Sequence, residues 1–381
     1  FSKKLDFSPV ILVKKREKNT DLEVQEEDNN TLNAKFFVVK VAIIGATGYT
    51  GLELIRLAEN HPYLDISLIT SREKAGKSLK EVFNWSGRYA NLILEEPIIE
   101  KITNEVELAF LCVPSGEAQK FAYAFLEKEI KVIDFSADFR FKNIQTYENT
   151  YNIKHAYPEL CEKAVYGLTE IFREEIKKAD LVANPGCYPT SVLLPLIPLI
   201  KNKLIEKDPI IVDSKSGTSG AGRKSENYYS FCEVNEDFKA YKIASHRHTP
   251  EIEEKLSLFS GEQIKSIFTP HLLPMNRGIF STIYVKFKTE AEEIHKFLKE
   301  FYKESSFIEV VPIGKIPRIA EVKGTNLCKI GIFEDKKRGW GIIVSVMDNL
   351  IKGASGQAIQ NFNLMFGFPE DTGLPKTPLF V

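Results

Sequence analysis

The chain has 381 residues, 43% hydrophobic and 27% charged, enough for two domains on a soft prior of roughly 150 residues each, with a composition unlike that of a disordered or fibrous chain. Lys and Arg total 51 against 52 Asp and Glu, a formal net charge of -1, so no basic excess favours nucleic acid or an anionic membrane, and a small-molecule partner is expected. The most apolar run, Val192 to Ile200, is interrupted by Pro195 and Pro198 and falls short of the roughly 18–20 residues of a membrane span. The five cysteines, at 112, 161, 187, 232 and 328, are odd in number and lack CxxC spacing, which suits free thiols in a reducing compartment, expected to be the cytoplasm.

Residues 1–37 have mixed charge and little periodicity and are expected to be an extension outside the fold; the acids Glu23, Glu26, Glu27 and Asp28 argue against a transit peptide. From Phe36 a β-branched run ends at Gly45, as a strand buried on both faces of a parallel sheet would. A helix is expected from Thr50 to about Asn60, a second strand over Leu64–Thr70, and further strands at Leu108–Val113, Val132–Phe135 and Leu181–Ala183. Alternating β and α units predict an open, mostly parallel, doubly wound α/β sheet of the Rossmann type. Beyond Cys187 the candidate strands Ile210–Asp213, Ser266–Thr269, Ser281–Lys288 and Lys329–Phe333 predict an α+β domain with a mainly antiparallel sheet. Pro195 and Pro198 predict a kinked or short helix after Cys187, and Asn349–Gly367 reads as a closing helix.

Four segments carry chemistry. Gly45-Ala-Thr47-Gly48-Tyr49-Thr50-Gly51 lies between a strand and a helix, where glycines let backbone N–H groups approach a pyrophosphate. At the end of the second strand stand Ser71 and Arg72 instead of the carboxylate that would bind an unphosphorylated ribose; a hydroxyl and a guanidinium point to NADP, with Glu73 as a local competitor. Cys187, in Asn184-Pro-Gly-Cys187-Tyr-Pro-Thr190, would open a helix whose dipole favours its thiolate. His246-Arg247-His248-Thr-Pro-Glu251 offers proton transfer and an anion grip, and it is poor as a metal site because no further ligands accompany the pair. The small-residue run Ser214–Arg223 could present N–H donors to an anion or be a plain surface loop.

From about Val39 onward the chain resembles the N-acetyl-gamma-glutamyl-phosphate reductases, relatives of aspartate-semialdehyde dehydrogenase, in Gly45–Gly51, Asn184–Thr190, Ser216–Arg223 and His246–Glu251 and in Asp134-Phe-Ser-Ala-Asp138-Phe-Arg140 and Asp348-Asn-Leu-Ile-Lys-Gly-Ala354. The resemblance implies a homo-oligomer, dimer or tetramer, that reduces an acyl phosphate with NADPH through a thioester. It implies an NADP-binding domain over 38–186 and 346–381 and a catalytic and oligomerisation domain over 187–345. It makes Cys187 the nucleophile and His246 the acid/base, with His248 a substrate contact or the alternative base. It brings Pro114, Ser115, Asn349, Gly353 and Ala354 to the cofactor, and Arg140, Asn184, Arg223 and Arg247 to the substrate. A carrier-linked acyl phosphate, served by a basic rim of Lys215, Lys224 and Lys242, is the close alternative. A short-chain dehydrogenase would need Tyr and Lys four apart on a helix, and Tyr284 and Lys288 fall in a strand-like run instead. A non-enzymatic NADP sensor would bind the nucleotide without thiol chemistry.

Overall fold

The computed structural model describes residues 37–99, 105–223 and 231–379; up to residue 36 the expected extension lies outside them, as does Lys224. No helix among the described residues is long and apolar enough to cross a membrane. Seven strands form the first sheet: β1 (Val39–Ile44), β2 (Leu64–Thr70), β3 (Leu94–Glu95), β4 (Leu108–Leu111), β5 (Lys131–Asp134), β6 (Val165–Tyr166) and β7 (Leu181–Ala183). Their order is β3-β2-β1-β4-β5-β7-β6 and every pairing is parallel. The chain therefore reverses its direction of winding between β1 and β4, the position at which doubly wound sheets bind ligands beyond their strand C-termini. Central β1 is buried at every position but Lys40, which is why its text is continuously apolar rather than alternating.

The second sheet runs β12-β13-β14-β11-β8-β10-β9, from β8 (Ile211–Gly217), β9 (Lys239–Ala240), β10 (Ile267–Leu273), β11 (Ile279–Val285), β12 (Ile308–Val310), β13 (Cys328–Asp335) and β14 (Trp340–Met347). It is mixed: β8 with β10 and β12 with β13 pair in parallel, and the other pairings are antiparallel. Tyr284 lies on β11 and Lys288 beyond its end, so no helix presents the pair that a short-chain dehydrogenase requires.

Three local expectations are corrected. Strand β8 continues to Gly217, through residues whose composition suggested a loop. Its buried serines are satisfied locally and across elements: Ser281 Oγ of β11 lies 2.7 Å from both Ser214 Oγ and Ser191 Oγ, and Ser216 Oγ donates to the Gly217 carbonyl at 2.9 Å, so these hydroxyls are paired inside the sheet. The helix after Cys187 is not short but runs from Cys187 to Lys201 with both prolines inside it. Pro198 has no N–H for the carbonyl of Leu194, and the buried Tyr302 hydroxyl donates to that oxygen instead. The closing segment begins not as an α-helix but as a π turn, Ile351–Ser355, continuing as the α-helix Gly356–Met365. That helix returns to the first sheet, where Ile359 and Phe362 pack with Val41, Ile43 and Phe110.

Tyr302→Phe would leave the Leu194 carbonyl buried and unpaired, a loss of about 1–3 kcal/mol. Chemical denaturation should report it, and an unchanged midpoint would mean that another donor serves that oxygen.

Candidate active site

The glycine turn is built as a dinucleotide cradle. Gly45 has φ +86°, and a Cβ on it would stand 2.5 Å from the carbonyl oxygen of Cys112, while one on Gly51 would stand 2.7 Å from the Ala46 backbone. These two glycines allow the strand and helix to touch. Gly48 differs: it caps the helix Tyr49–Ala58, and a Cβ there would meet nothing nearer than the Gly45 carbonyl at 3.8 Å. The space in front of the first helical amides is thus open, and an anionic pyrophosphate fits it. Thr47 Oγ1 lies 3.3 Å from Ser71 Oγ, which joins the turn to the end of β2. Arg72 is largely exposed and pairs at 2.7 Å with Glu117 rather than with its neighbour Glu73. Ser115 Oγ accepts from the Ala137 amide at 3.2 Å, tying the loop after β4 to the turn that holds Asp134 and Arg140.

Cys187 is the first residue of its helix and is partly buried. Burial pushes its thiol up to about 11, against the pull of the Tyr188 amide, Arg140 and Arg247. The helix terminus therefore does not by itself produce the lowered thiol pKa expected from sequence, because desolvation in the ligand-free protein outweighs it. The residue before it, Gly186, is held by Glu251: the Gly186 amide donates to Glu251 Oε1 at 2.9 Å and the Tyr166 hydroxyl donates to the same atom at 2.7 Å. Glu251 Oε2 faces Arg140 Nη1 at 3.2 Å.

Arg140 and Asn184, both expected among the substrate contacts, are buried and bonded within the protein. Arg140 also donates to the carbonyls of Asn184 at 2.8 Å and Phe135 at 2.7 Å. Asn184 Nδ2 donates to the Ala354 carbonyl at 3.1 Å, and its Oδ1 accepts from Asn361 at 3.3 Å. They clamp the loop that carries Cys187.

Both histidines are buried beside Tyr188, with their ring centroids 4.8 Å apart. His246 accepts the His248 amide at Nδ1, 3.1 Å away, which leaves Nε2 as its remaining polar atom and fixes the tautomer. His248 Nε2 would lie 2.7 Å from a Cβ on Gly186, next to the nucleophile, and its buried Nδ1 has no partner among the described residues. Burial lowers His246 to about 3 and His248 well below its ordinary value, and neighbouring cations act in the same direction. Both are neutral near pH 7.

Exposed Arg247 lies 5.9 Å from the ring centre of Tyr151, whose buried hydroxyl also has no partner among the described residues. Arg223 is not brought to this cluster. Its guanidinium lies over Tyr49 and Phe83 at 5.2 and 5.0 Å, on the dinucleotide turn. Among the lysines of the postulated basic rim, Lys215 is paired with Asp213 at 2.7 Å.

The π turn joins the two halves of the site. Ser355 Oγ donates to the Thr50 carbonyl at 2.8 Å, and a Cβ on Gly353 would stand 2.9 Å from the Cβ of Cys187. Asn349 accepts from the Gly278 amide at 2.8 Å and donates to Ser219 at 2.9 Å. Sequence reasoning missed the anchoring roles of Glu251 and Tyr166 and the place of Tyr151 beside Arg247. Of these only Glu251 sat inside a recognised motif, and its reach back to Gly186 spans 65 residues.

Two family models match the chain: the NAD binding domain of semialdehyde dehydrogenase over residues 40–179 and its dimerisation domain over 187–349. The chain is 48% identical over 344 residues to the N-acetyl-gamma-glutamyl-phosphate reductase of Pelotomaculum thermopropionicum, covering 90% of this chain and 99% of that protein. It is 49% identical over 342 residues to the enzyme of the same name from Geobacter sulfurreducens, covering 88% and 98%. In fold it is similar to aspartate semialdehyde dehydrogenase II from Vibrio cholerae, with a TM-score of 0.67 at 19% identity over 87% of this chain and 99% of that one. It is similar also to the Candida albicans aspartate semialdehyde dehydrogenase solved with NADP, with a TM-score of 0.62 at 18% identity over 86% and 98%.

A thiol held at about 11 by burial makes a pH prediction. Iodoacetamide should alkylate Cys187 of the ligand-free protein at a rate that rises about tenfold per pH unit between 7 and 10, as the thiolate fraction does. A plateau beginning near pH 8 would contradict the burial argument.

Proposed function

The chain belongs to the N-acetyl-gamma-glutamyl-phosphate reductase family, and on that premise we propose that it reduces N-acetyl-L-glutamyl 5-phosphate to N-acetyl-L-glutamate 5-semialdehyde and phosphate, with NADPH, in arginine biosynthesis. The observation that carries the reading is the seating of one segment on both partners of the reaction: Ser355 on the dinucleotide turn and Gly353 on Cys187. Residues 38–186 with 346–381 serve as the dinucleotide-binding domain, and 187–345 as the catalytic and oligomerisation domain of a dimer or tetramer. Five cysteines that all remain free suit a reducing compartment, the cytoplasm.

Cofactor contacts follow from the cradle. The amides from Gly48 to Gly51 face the pyrophosphate, and Thr47, Ser71 and Arg72 face the adenosine side, where Arg72 exchanges Glu117 for the ribose phosphate that distinguishes NADP from NAD. Pro114, Ser115, Asn349, Gly353 and Ala354 border the nicotinamide end. When bound, NADPH supplies a hydride to the carbonyl carbon held on Cys187.

The protein's own groups perform the remaining steps. Cys187 attacks the acyl carbon as its proton passes to an imidazole, and phosphate leaves to give a thioester. Both histidines are neutral and so able to accept that proton. His248 is favoured by its place against Gly186, with His246 as the alternative. The anionic acyl phosphate, held beside Arg247 and Tyr151, offsets the burial that otherwise opposes an imidazolium. Amides at the start of the Cys187 helix stabilise the oxyanion. After reduction the tetrahedral adduct collapses, sulfur regains the proton, and the aldehyde is released. Arg140, Asn184 and Glu251 fix the loop before the nucleophile.

Run in reverse, the reaction gives a direct assay. N-acetylglutamate semialdehyde should drive phosphate-dependent reduction of NADP in preference to NAD, aspartate semialdehyde should be turned over far more slowly, and Cys187→Ala should lose several orders of magnitude in kcat while still binding NADPH. Turnover retained by the alanine variant would eliminate the covalent route, and an equal response to aspartate semialdehyde would overturn the substrate.

A further inference from the structure

The segment that returns from the second sheet to the first carries a charge that the chemistry above does not use. Lys352 is wholly buried, with Nζ 2.6 Å from Glu170 Oε1 and 2.7 Å from Gln360 Oε1. Gln360 Nε2 donates to the same Glu170 oxygen at 2.8 Å, and Asn326 donates to Gln360 Oε1 at 2.9 Å. Burial opposes the Glu170 charge, yet Lys352 holds the carboxyl below its ordinary range. Complete burial of an ion pair is a poor source of stability, since well-packed apolar residues of similar volume often do as well or better. What distinguishes this pair is its position.

Lys352 is the second residue of the π turn Ile351–Ser355. The turn's register is explicit: the Gly353 amide bonds to the Asp348 carbonyl at 2.9 Å and the Ser355 amide to the Leu350 carbonyl at 2.9 Å, each spanning five residues. Such turns are rare and occur mostly singly within α-helices, often at functional sites. Removing the extra residue by rewinding to α register would rotate the two sides of the turn by about 100° relative to each other. Gly353 would then leave Cys187, or Ser355 would leave Thr50. Immediately before the first of those contacts stands Lys352, anchored to the loop after β6 through Glu170 and to the following helix through Gln360.

We infer that Lys352, with Glu170 and Gln360, is a positioning residue for the nucleophile: the buried ion pair holds this segment in the π register that seats Gly353 against Cys187 and Ser355 against the dinucleotide turn. The inference rests on the reading of Cys187 as the nucleophile, but its first readout is the chemical reactivity of that thiol without substrate or nucleotide. Loosening the turn uncovers the thiol while spoiling its alignment, so alkylation and turnover move in opposite directions.

The test is the double substitution Lys352→Met with Glu170→Gln, which removes both charges and strands neither. In the ligand-free protein, iodoacetamide labelling mapped by peptide mass should be at least fivefold faster at Cys187 and unchanged at Cys161, a buried thiol of the first sheet's core. In the phosphate-dependent assay kcat should fall at least tenfold, with the KM for NADP changed less than threefold. Labelling and kcat within twofold of the parent would overturn the inference. Faster labelling of Cys161 and Cys187 together would overturn it too, as a loss of general stability. Should the double variant fail to fold, Gln360→Met retains the ion pair and removes one anchor: labelling about threefold faster with kcat about threefold lower is expected, and parental values for both overturn the inference. Full turnover by Cys187→Ser would strike the nucleophile reading alone, because labelling of Cys187 in the Lys352 and Gln360 variants tests the seating by itself.

Discussion

A single turn of backbone, Ile351–Ser355, is wedged between the helix that caps the dinucleotide turn and the helix that begins with the reactive thiol, and the geometry of the site depends on that wedge. One face meets Thr50 through Ser355 and the other meets Cys187 through Gly353. The approach to Cys187 is so close that any side chain at 353 would enter the space of the thiol's own Cβ. Asn349, just before the turn, ties it to the tip between β10 and β11 and to Ser219, while the carbonyl of Ala354 receives Asn184 from the nucleophile loop. The two sheets thus share one strut, which joins the dinucleotide turn to Cys187 through Ser355 and Gly353.

The electrostatics follow the same economy. One buried carboxylate, Glu251, holds the amide of Gly186, the hydroxyl of Tyr166 and the guanidinium of Arg140, so the loop ahead of the nucleophile is fixed from three directions. The thiol and both imidazoles are neutral in the ligand-free protein because burial disfavours every charged form. In the proposed reaction an anionic substrate beside Arg247 would reverse that balance locally, coupling the formation of a thiolate and an imidazolium to occupancy of the site.

Much of this arrangement was legible in the amino-acid sequence, and for identifiable reasons. β1 lies between two parallel neighbours, so its apolar run is unbroken. The glycines at 45 and 51 answer to close backbone approach and Gly48 to an open helix start, and Cys187 follows the Pro-Gly that ends one element and opens the next. What was not legible depends on partners distant in the chain. A helix with two internal prolines reads as kinked or short unless Tyr302, more than a hundred residues on, is known to supply a missing donor. Ser214 reads as loop because its hydroxyl partner, Ser281, lies on another strand. The π register at 351–355 leaves no compositional mark, since it is held by Glu170 and Gln360. Arg223 looked like a substrate ligand by residue type, yet the path of its loop carries it to Tyr49.

The central claim is that the sulfur of Cys187 carries the acyl group beside the nucleotide cleft. Rapid mixing of the protein with N-acetylglutamyl phosphate in the absence of reduced nucleotide, followed by an acid quench and peptide mass analysis, tests it most directly. The account predicts one acyl group per chain on the peptide containing Cys187, released phosphate in equal amount, and loss of the adduct when NADPH is added before the quench. Phosphate release without an adduct on that cysteine, or an adduct on another residue, would contradict it.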